Sequence, residues 1–227
     1  MTRVLVWNVH QLRAGVGPVA AAIERHRPDL VLLNETGPRR RLRALGRELG
    51  MTVARDPLSP LRRRIRNAVL ARSPWRIVEH RLHRFADVRR RLNPRGALLA
   101  VVEGPPGRLG VCCLHLGLHP LERLHAAREV VGLDLADPAV VGGDLNELPD
   151  GRAVGILRRR FADAWSLVGE GEGATFPAPA PRARIDYLFV SGGLAVRRAW
   201  VPTDGSVVRA SDHLPLVVDL DVAGEER

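Results

Sequence analysis

The sequence predicts an α/β protein in which two packed sheets are covered by helices. Three observations carry this. The opening segment alternates apolar strands with amphipathic helices. The middle replaces that alternation with strand-like runs in succession. Helical segments flank the strand clusters, where they can cover the sheets from outside.

Residues 4–9 form a short apolar strand. Residues 18–26 form a helix: Pro18 suits the first turn, and Val19, Ala22 and Ile23 make an apolar face. Residues 29–35, PDLVLLNE without its proline, read as a strand buried on both faces. Residues 37–49 are a second helix, with Leu42, Leu45 and Leu49 at i, i+3 and i+7. Four strand-like runs follow at 66–73, 75–82, 97–104 and 108–116, and GPPG (104–107) joins the last two as a hairpin. Residues 120–135 are helical, 139–142 a short strand, and 150–160 a helix. FPAPAPRAR (176–184) is a loop within the domain, because strand chemistry resumes at once in 184–191, 195–201 and 214–222. The expected organisation is one domain over 1–222 and a short polar tail at 223–227.

The chain has 227 residues, 45% of them hydrophobic, enough for one substantial core. No apolar run approaches the roughly 18 residues of a membrane span. A strand begins almost immediately and no small-residue cleavage site follows it, so the expectation is a cytoplasmic protein without a signal peptide. Cys112 and Cys113 are adjacent; in a strand they point to opposite faces, which excludes an ordinary disulfide and fits small buried apolar residues. Trp7, Trp75 and Trp165 read as core. The formal charge of +10 speaks for an anionic partner. Every basic residue is Arg, amid heavy use of Ala, Gly and Pro, the mark of a GC-rich coding bias. The charge therefore favours an anionic ligand more than DNA in particular. The Arg-rich segments 39–43, 62–66 and 89–95 read equally as a phosphate-attracting rim or as solvated faces. No aromatic residues interleave them for base stacking.

Polar residues stand at the ends of the apolar strands: Asn8, Glu35, His115, Asp144, Asn146, Asp186, Asp212 and His213. Each alone has a plain explanation as a cap or turn former. Strand alternation places Asp144 and Asn146 on one side of GGDLNELP, after glycines that permit close backbone approach. Glu147 reads as a solvated loop residue, and His119 and His125 as surface residues. Asp186, between Ile185 and Tyr187, needs a partner, since a buried unpaired charge is very costly. His213 is the candidate, in a pair that fixes the ring and raises its pKa. The set offers hard oxygen ligands suited to Mg²⁺ or Mn²⁺, with imidazoles and amides suited to phosphate. That combination points to metal-assisted hydrolysis of a phosphate ester.

VWNVH (6–10), DLVLLNE (29–35), RNAVLARSPW (66–75), CLHLGLH (113–119), VVGGDLNELP (140–149), ATFPAP (174–179), RIDYLFVS (184–191) and SDHLPLVVDL (211–220) stand in one order along the chain. In that order they resemble the endonuclease/exonuclease/phosphatase superfamily, which includes DNase I, exonuclease III-type AP endonucleases, neutral sphingomyelinases and inositol-polyphosphate phosphatases. The resemblance implies a four-layer α/β/β/α sandwich with a site at one end of the sheets. It implies that Glu35 is the main metal ligand, with Asn8 and Asp212 close to the metal. Asp144 would orient or deprotonate the attacking water, and Asn146 would hold water and phosphate. His213, oriented by Asp186, would contact the phosphate. His115 would contact the phosphate or protonate the leaving oxygen. The phosphate-binding groups would thus be Asn8, His115, Asn146 and His213. The His-Leu at 115–116 resembles the DNase I, sphingomyelinase and phosphatase branches more than the AP-endonuclease branch. The expected partner is a phosphate-ester substrate, with nucleic acid the leading class. Phospholipid head groups and small phosphorylated metabolites are the alternative. No obligatory protein partner or integral membrane association is expected. A non-catalytic module fits less well, because Glu35, Asp144, Asp186 and His213 are all present.

Overall fold

The computed structural model describes residues 1–57, 64–86, 94–105 and 107–222. The tail at 223–227, Arg62, Arg63 and the run Arg89 to Asn93 lie outside them. In chain order the elements are β1 (Thr2–Asn8), α1 (Val16–His26), β2 (Leu30–Asn34), α2 (Arg39–Glu48), β3 (Met51–Arg55), β4 (Ala68–Arg72), β5 (Arg76–Arg84), β6 (Gly96–Gly104) and β7 (Gly107–His115). Then come α3 (Pro120–Val131), β8 (Ala139–Asp144), α4 (Arg152–Leu157), β9 (Ala162–Asp163), α5 (Ala164–Val168), β10 (Asp186–Val190), β11 (Leu194–Trp200), α6 (Gly205–Ala210) and β12 (Leu216–Val222).

The strands make two six-stranded sheets, in the orders β11-β12-β1-β2-β4-β3 and β5-β6-β7-β8-β10-β9. Each sheet is mixed, with one parallel pair: β1 with β2 in the first and β7 with β8 in the second. Alternation along each strand builds the layers. Val4 and Val6 enter a cluster with Leu98, Val111, Val140, Leu188 and Val218 between the sheets. Leu5 and Trp7 point the other way and pack with Ile23, Leu42, Leu45 and Val207 of the helices. On the outer face of the second sheet, Leu99, Leu114, Val141 and Phe189 pack with Ala126, Val130, Val154 and Leu157. The result is the α/β/β/α order. Cys113 lies between the sheets and Cys112 under the helices, as adjacent strand residues must. Trp7, Trp75 and Trp165 are buried. Among the described residues no helix is long and apolar enough to cross a membrane.

The differences from the sequence reading have local causes. The helix expected over 37–49 begins only after Pro38. Gly37 stays outside it at φ +61, where an added Cβ would stand 2.3 Å from the Gln11 carbonyl oxygen. The helix expected to reach 135 stops before Gly132, and α4 keeps six of the residues expected at 150–160. Strand β8 continues past 142 to Asp144. β3, α5 and α6 escape the sequence reading because runs of five or six residues are too short for a periodicity to show.

Candidate active site

Strand direction gathers the polar residues at one end of both sheets. The parallel strands β1 and β2 finish together, with Asn8 opposite Asn34. β7 and β8 also finish together, with His115 opposite Asp144. The antiparallel β10 starts there, with Asp186 on the other flank of Asp144. β12 starts at the matching end of the first sheet, with Leu216 opposite Val6 and His213 just before it. A row His115–Asp144–Asp186 thus crosses the second sheet, with Asn8 and His213 delivered from the first. Carboxyl ends of parallel strands are the usual place for such a site.

Asp144 Oδ2 is the focus. It accepts a hydrogen bond from Asn8 Nδ2 at 2.9 Å and faces His115 Nε2 at 3.3 Å and His213 Nε2 at 3.9 Å. Burial pushes the Asp144 carboxyl upward, but hydrogen bonding and charge from His115, His213 and Asn8 outweigh it and hold the group well below the usual carboxylate range. Asp144 is therefore ionised at neutral pH.

Asp186 and His213 form the expected pair: Nδ1 of the ring lies 2.8 Å from Asp186 Oδ2. Burial lowers the His213 pKa, and the charge and hydrogen bond of Asp186, with Asp144 adding to them, reverse this and raise it to about 9. Burial also raises the Asp186 carboxyl, opposed by His213. The backbone fixes both residues. Thr175 Oγ1 accepts from the Asp186 amide at 3.3 Å, and Trp7 Nε1 donates to the His213 carbonyl at 2.7 Å. Ser211 Oγ donates to the Asn8 carbonyl at 2.7 Å, tying the two loops together. The Phe176 ring packs against His213 with centroids 4.9 Å apart.

Two sequence expectations need correction. Asn146 does not share a side with Asp144 through strand alternation, because the strand ends at Asp144 and Asn146 takes φ +49. The two are linked by a turn instead: the Asn146 amide donates to Asp144 Oδ1 at 2.9 Å. The Asn146 side chain reaches His115 Nε2 at 3.3 Å and the Leu116 carbonyl at 3.1 Å. Glu147 is not a solvated loop residue; Arg123 Nε holds its carboxylate at 2.6 Å, and its carbonyl accepts from the Tyr187 hydroxyl at 2.8 Å. Of the remaining histidines, His119 caps α3, accepting from the Leu121 amide, and His125 is exposed.

Asn34 and Asn67 are site-supporting residues the sequence reading passed over. Asn34, fully buried, donates to Asn67 Oδ1 and to the Leu114 carbonyl, each at 3.0 Å, and accepts from the Asp144 amide at 2.8 Å. Asn67 donates to the carbonyls of Gly96 and Cys113, each at 3.0 Å. The signal was present in LVLLNE, where an amide ends an apolar run as Asn8 does.

The residues expected to hold a metal stand beside this cluster. Asn8 is shared with it. Asp212 is partly exposed and faces His10 Nδ1 at 3.4 Å. Glu35, at φ +51, lines a small cavity with Gln11 and Arg64, and its carboxylate has no hydrogen-bond or ion-pair partner among the described residues. The Asn8 and Asp212 oxygens already accept from the His10 amide and Ser211 Oγ, so Glu35 offers the unpartnered hard oxygen that fits a divalent cation. Asp144, Asp186 and His213 also offer ligand atoms within 4.8 Å of one another. Within that group only Asp186 and His213 share a hydrogen bond, at 2.8 Å, and His213 would join an ion as the neutral ring.

The sequence matches the model of the Endonuclease/Exonuclease/phosphatase family over residues 5–213. Among curated proteins none matches it significantly. Among solved structures, an endonuclease/exonuclease/phosphatase family protein of Bacteroides thetaiotaomicron superposes with a TM-score of 0.81 at 21% identity, covering 100% of this chain and 96% of that one. A mannosyl-6-phosphatase of the same species gives 0.81 at 19% identity, covering 97% and 99%. The human Nocturnin catalytic domain with bound sulfate gives 0.72 at 20% identity, covering 96% and 92%. At these identities the structures establish the fold. The matched span runs from β1 through His213 and so takes in every site residue above; the chain belongs to the endonuclease/exonuclease/phosphatase family and is a phosphoric ester hydrolase.

Proposed function

We propose that the protein is a divalent-metal-dependent phosphodiesterase that works by in-line attack of water on phosphorus, with nucleic acid as its leading substrate class. One observation carries the reading: a single ionised carboxylate oxygen, Asp144 Oδ2, is met by Asn8, His115 and His213 together. The ionised Asp144 carboxylate aims the attacking water and takes up its proton as the new phosphorus–oxygen bond forms. Asn146 helps hold the water and the phosphate. The His213 imidazolium, fixed by Asp186, faces the charge that develops on the phosphate oxygens. His115 contacts the phosphate or gives a proton to the leaving oxygen as the phosphorus–oxygen bond breaks. Glu35, Asn8 and Asp212 would hold Mg²⁺ or Mn²⁺, which when bound neutralises phosphate charge.

A second reading, hydrolysis of a small phosphate ester or a phospholipid head group, draws on where the arginines go. Arg39 and Arg41 bond the carbonyls of Asp56 and Leu12, and Arg64 and Arg72 bond Asp56 and Glu24, so part of the basic charge serves the fold. The deciding experiment incubates purified protein, Mg²⁺ or Mn²⁺, and a panel of plasmid, oligonucleotides, RNA, sugar phosphates and phospholipids, with Asp144→Asn as control. Cleavage of nucleic acid that a chelator and Asp144→Asn abolish is the expected result. Hydrolysis confined to small esters or lipids moves the assignment to the second reading, and no hydrolysis at all overturns both.

A further inference from the structure

The small cavity beside Glu35, about 60 Å³, is walled by Gln11, Arg64, Arg66 and Arg95 as well as by Glu35. Two of its guanidinium groups are set in place by the fold. Arg64 donates to the Gly37 carbonyl at 2.8 Å and to Asp56 Oδ1 at 3.3 Å. Arg95 donates from Nε to the Leu116 carbonyl at 3.1 Å, the same oxygen that accepts from Asn146 Nδ2. The cavity and the Asp144 centre therefore share a wall. Arg66 is the third. Its backbone is fixed at φ +67, with its carbonyl bonded to the Thr36 amide at 3.0 Å, while its side chain has no hydrogen bond or ion pair among the described residues. Neither Arg64 nor Arg66 pairs with Glu35, so neutralising that carboxylate is not what places them there. Arg64 is already paired with Asp56, while Arg66 and Arg95 line the cavity beside Glu35. Guanidinium forks match phosphate geometry, and a cation held by Glu35 would draw an oxyanion to the same place.

We propose that this cavity is a subsite for a second phosphate of the substrate, borne by the same molecule as the scissile one, with Arg66 as its specificity-determining contact. The proposal rests on the reading of Asp144 as the centre of phosphate-ester hydrolysis. A flanking backbone phosphate of an oligonucleotide and the second phosphate of a small bisphosphate present the same chemistry.

The test compares matched substrates: a dinucleotide with and without a terminal phosphate, and a sugar bisphosphate against its monophosphate. The variants are Arg66→Asn, which removes the cation yet tolerates the left-handed backbone, and Arg66→Lys, which keeps the charge. Wild type should prefer the two-phosphate member of a pair. Arg66→Asn should cut that ratio of kcat/KM about tenfold, mainly through KM, and Arg66→Lys should retain most of it. The pair that shows the preference names the source. Equal kcat/KM for both members in wild type, or an equal loss on both in Arg66→Asn, overturns the subsite. If neither pair is turned over, calorimetric binding of inorganic pyrophosphate without metal decides the subsite, and the wider substrate panel decides the hydrolase reading. A dissociation constant about tenfold weaker in Arg66→Asn supports it, and an unchanged one overturns it.

Discussion

Asp186 Oδ2 lies 2.8 Å from His213 Nδ1, while Nε2 of the same ring stands 3.9 Å from Asp144 Oδ2. One imidazole is thus suspended between two buried carboxylates delivered by neighbouring strands, β10 and β8. The inner carboxylate fixes the ring plane and its protonation. The outer one also accepts from Asn8 Nδ2 at 2.9 Å, which ties the ring's surroundings to the first sheet. The geometry explains why a buried acid sits at the first position of an otherwise apolar strand.

Asp186→Asn should therefore cut kcat by about 10²–10⁴-fold, the usual worth of a positioned acid–base group. An amide in place of the carboxylate no longer stabilises the imidazolium, and it can favour the wrong tautomer. KM should move little, because Asp186 is fully buried and its contact toward the site is the His213 ring. Steady-state kinetics with a circular dichroism check on folding decides this. A loss under about threefold would mean that His213 is oriented by its backbone bonds and Phe176 alone.

Gly143→Ala should be far more damaging than Gly155→Ala. At φ +145 an added Cβ on Gly143 would lie 1.8 Å from the Leu114 carbonyl oxygen and 2.9 Å from Asn34 Oδ1. Neither can retreat, because Leu114 is the ladder partner of Gly143 and Asn34 holds the Asp144 amide. The expected cost is about 3 kcal/mol or more, from strain and overpacking together. Gly155, in α4, faces open space, so its alanine variant should gain about 0.5–1 kcal/mol. Chemical denaturation of both proteins makes the comparison.

The convergence of Asn8, His115, Asp144, Asp186 and His213 was legible because one rule finds them all: each is a polar group at or just beyond the end of an apolar strand. The layer order was legible because strand alternation is encoded residue by residue. What the sequence hides is anything that depends on which strands become neighbours. Asn34 obeys the same rule, yet its task is to bridge the sheets, and that emerges only when β2 faces β7 and β8. Glu147 looks solvated until α3 brings Arg123 to it. Asn146 was assigned by a period that stops two residues earlier, where the chain turns left-handed.

Asn34→Leu tests the bridge. It should leave the Leu114 carbonyl, Asn67 Oδ1 and the Asp144 amide without their partner. Each orphaned buried group costs about 1–3 kcal/mol. The melting temperature should fall, and kcat should fall further than in a control of equal instability, because the amide that sets Asp144 is released. Matching the variant against a core cavity mutant of equal stability, such as Val207→Ala, separates the two effects. Equal kcat in the matched pair would reduce Asn34 to a packing residue.

Acid sensitivity should trace in part to Asp163, away from the catalytic cluster. Burial pushes its carboxyl up, but hydrogen bonds from Arg184 and Arg158, with the charge of Arg184 and a hydrogen bond from Ser166 adding to them, bring it below its ordinary value. The Arg184 contacts are 2.9 and 3.2 Å and the Arg158 contact 2.8 Å, and Arg184 is itself buried. A carboxyl depressed by folding contributes stability that is present above its unfolded pKa, about 3.9, and is lost as pH falls through the folded value. At pH 7 Asp163→Asn should cost about 3–5 kcal/mol, because it strands a buried guanidinium. As pH falls below about 3.9 the unfolded wild-type chain takes up the proton first, so its advantage shrinks until the folded carboxyl also protonates, and the two proteins should converge. Denaturant midpoints measured at pH 7 and pH 3 read this directly. A stability gap that stays constant across that range would show that shape and hydrogen bonding, not the carboxylate charge, hold Arg184 in place.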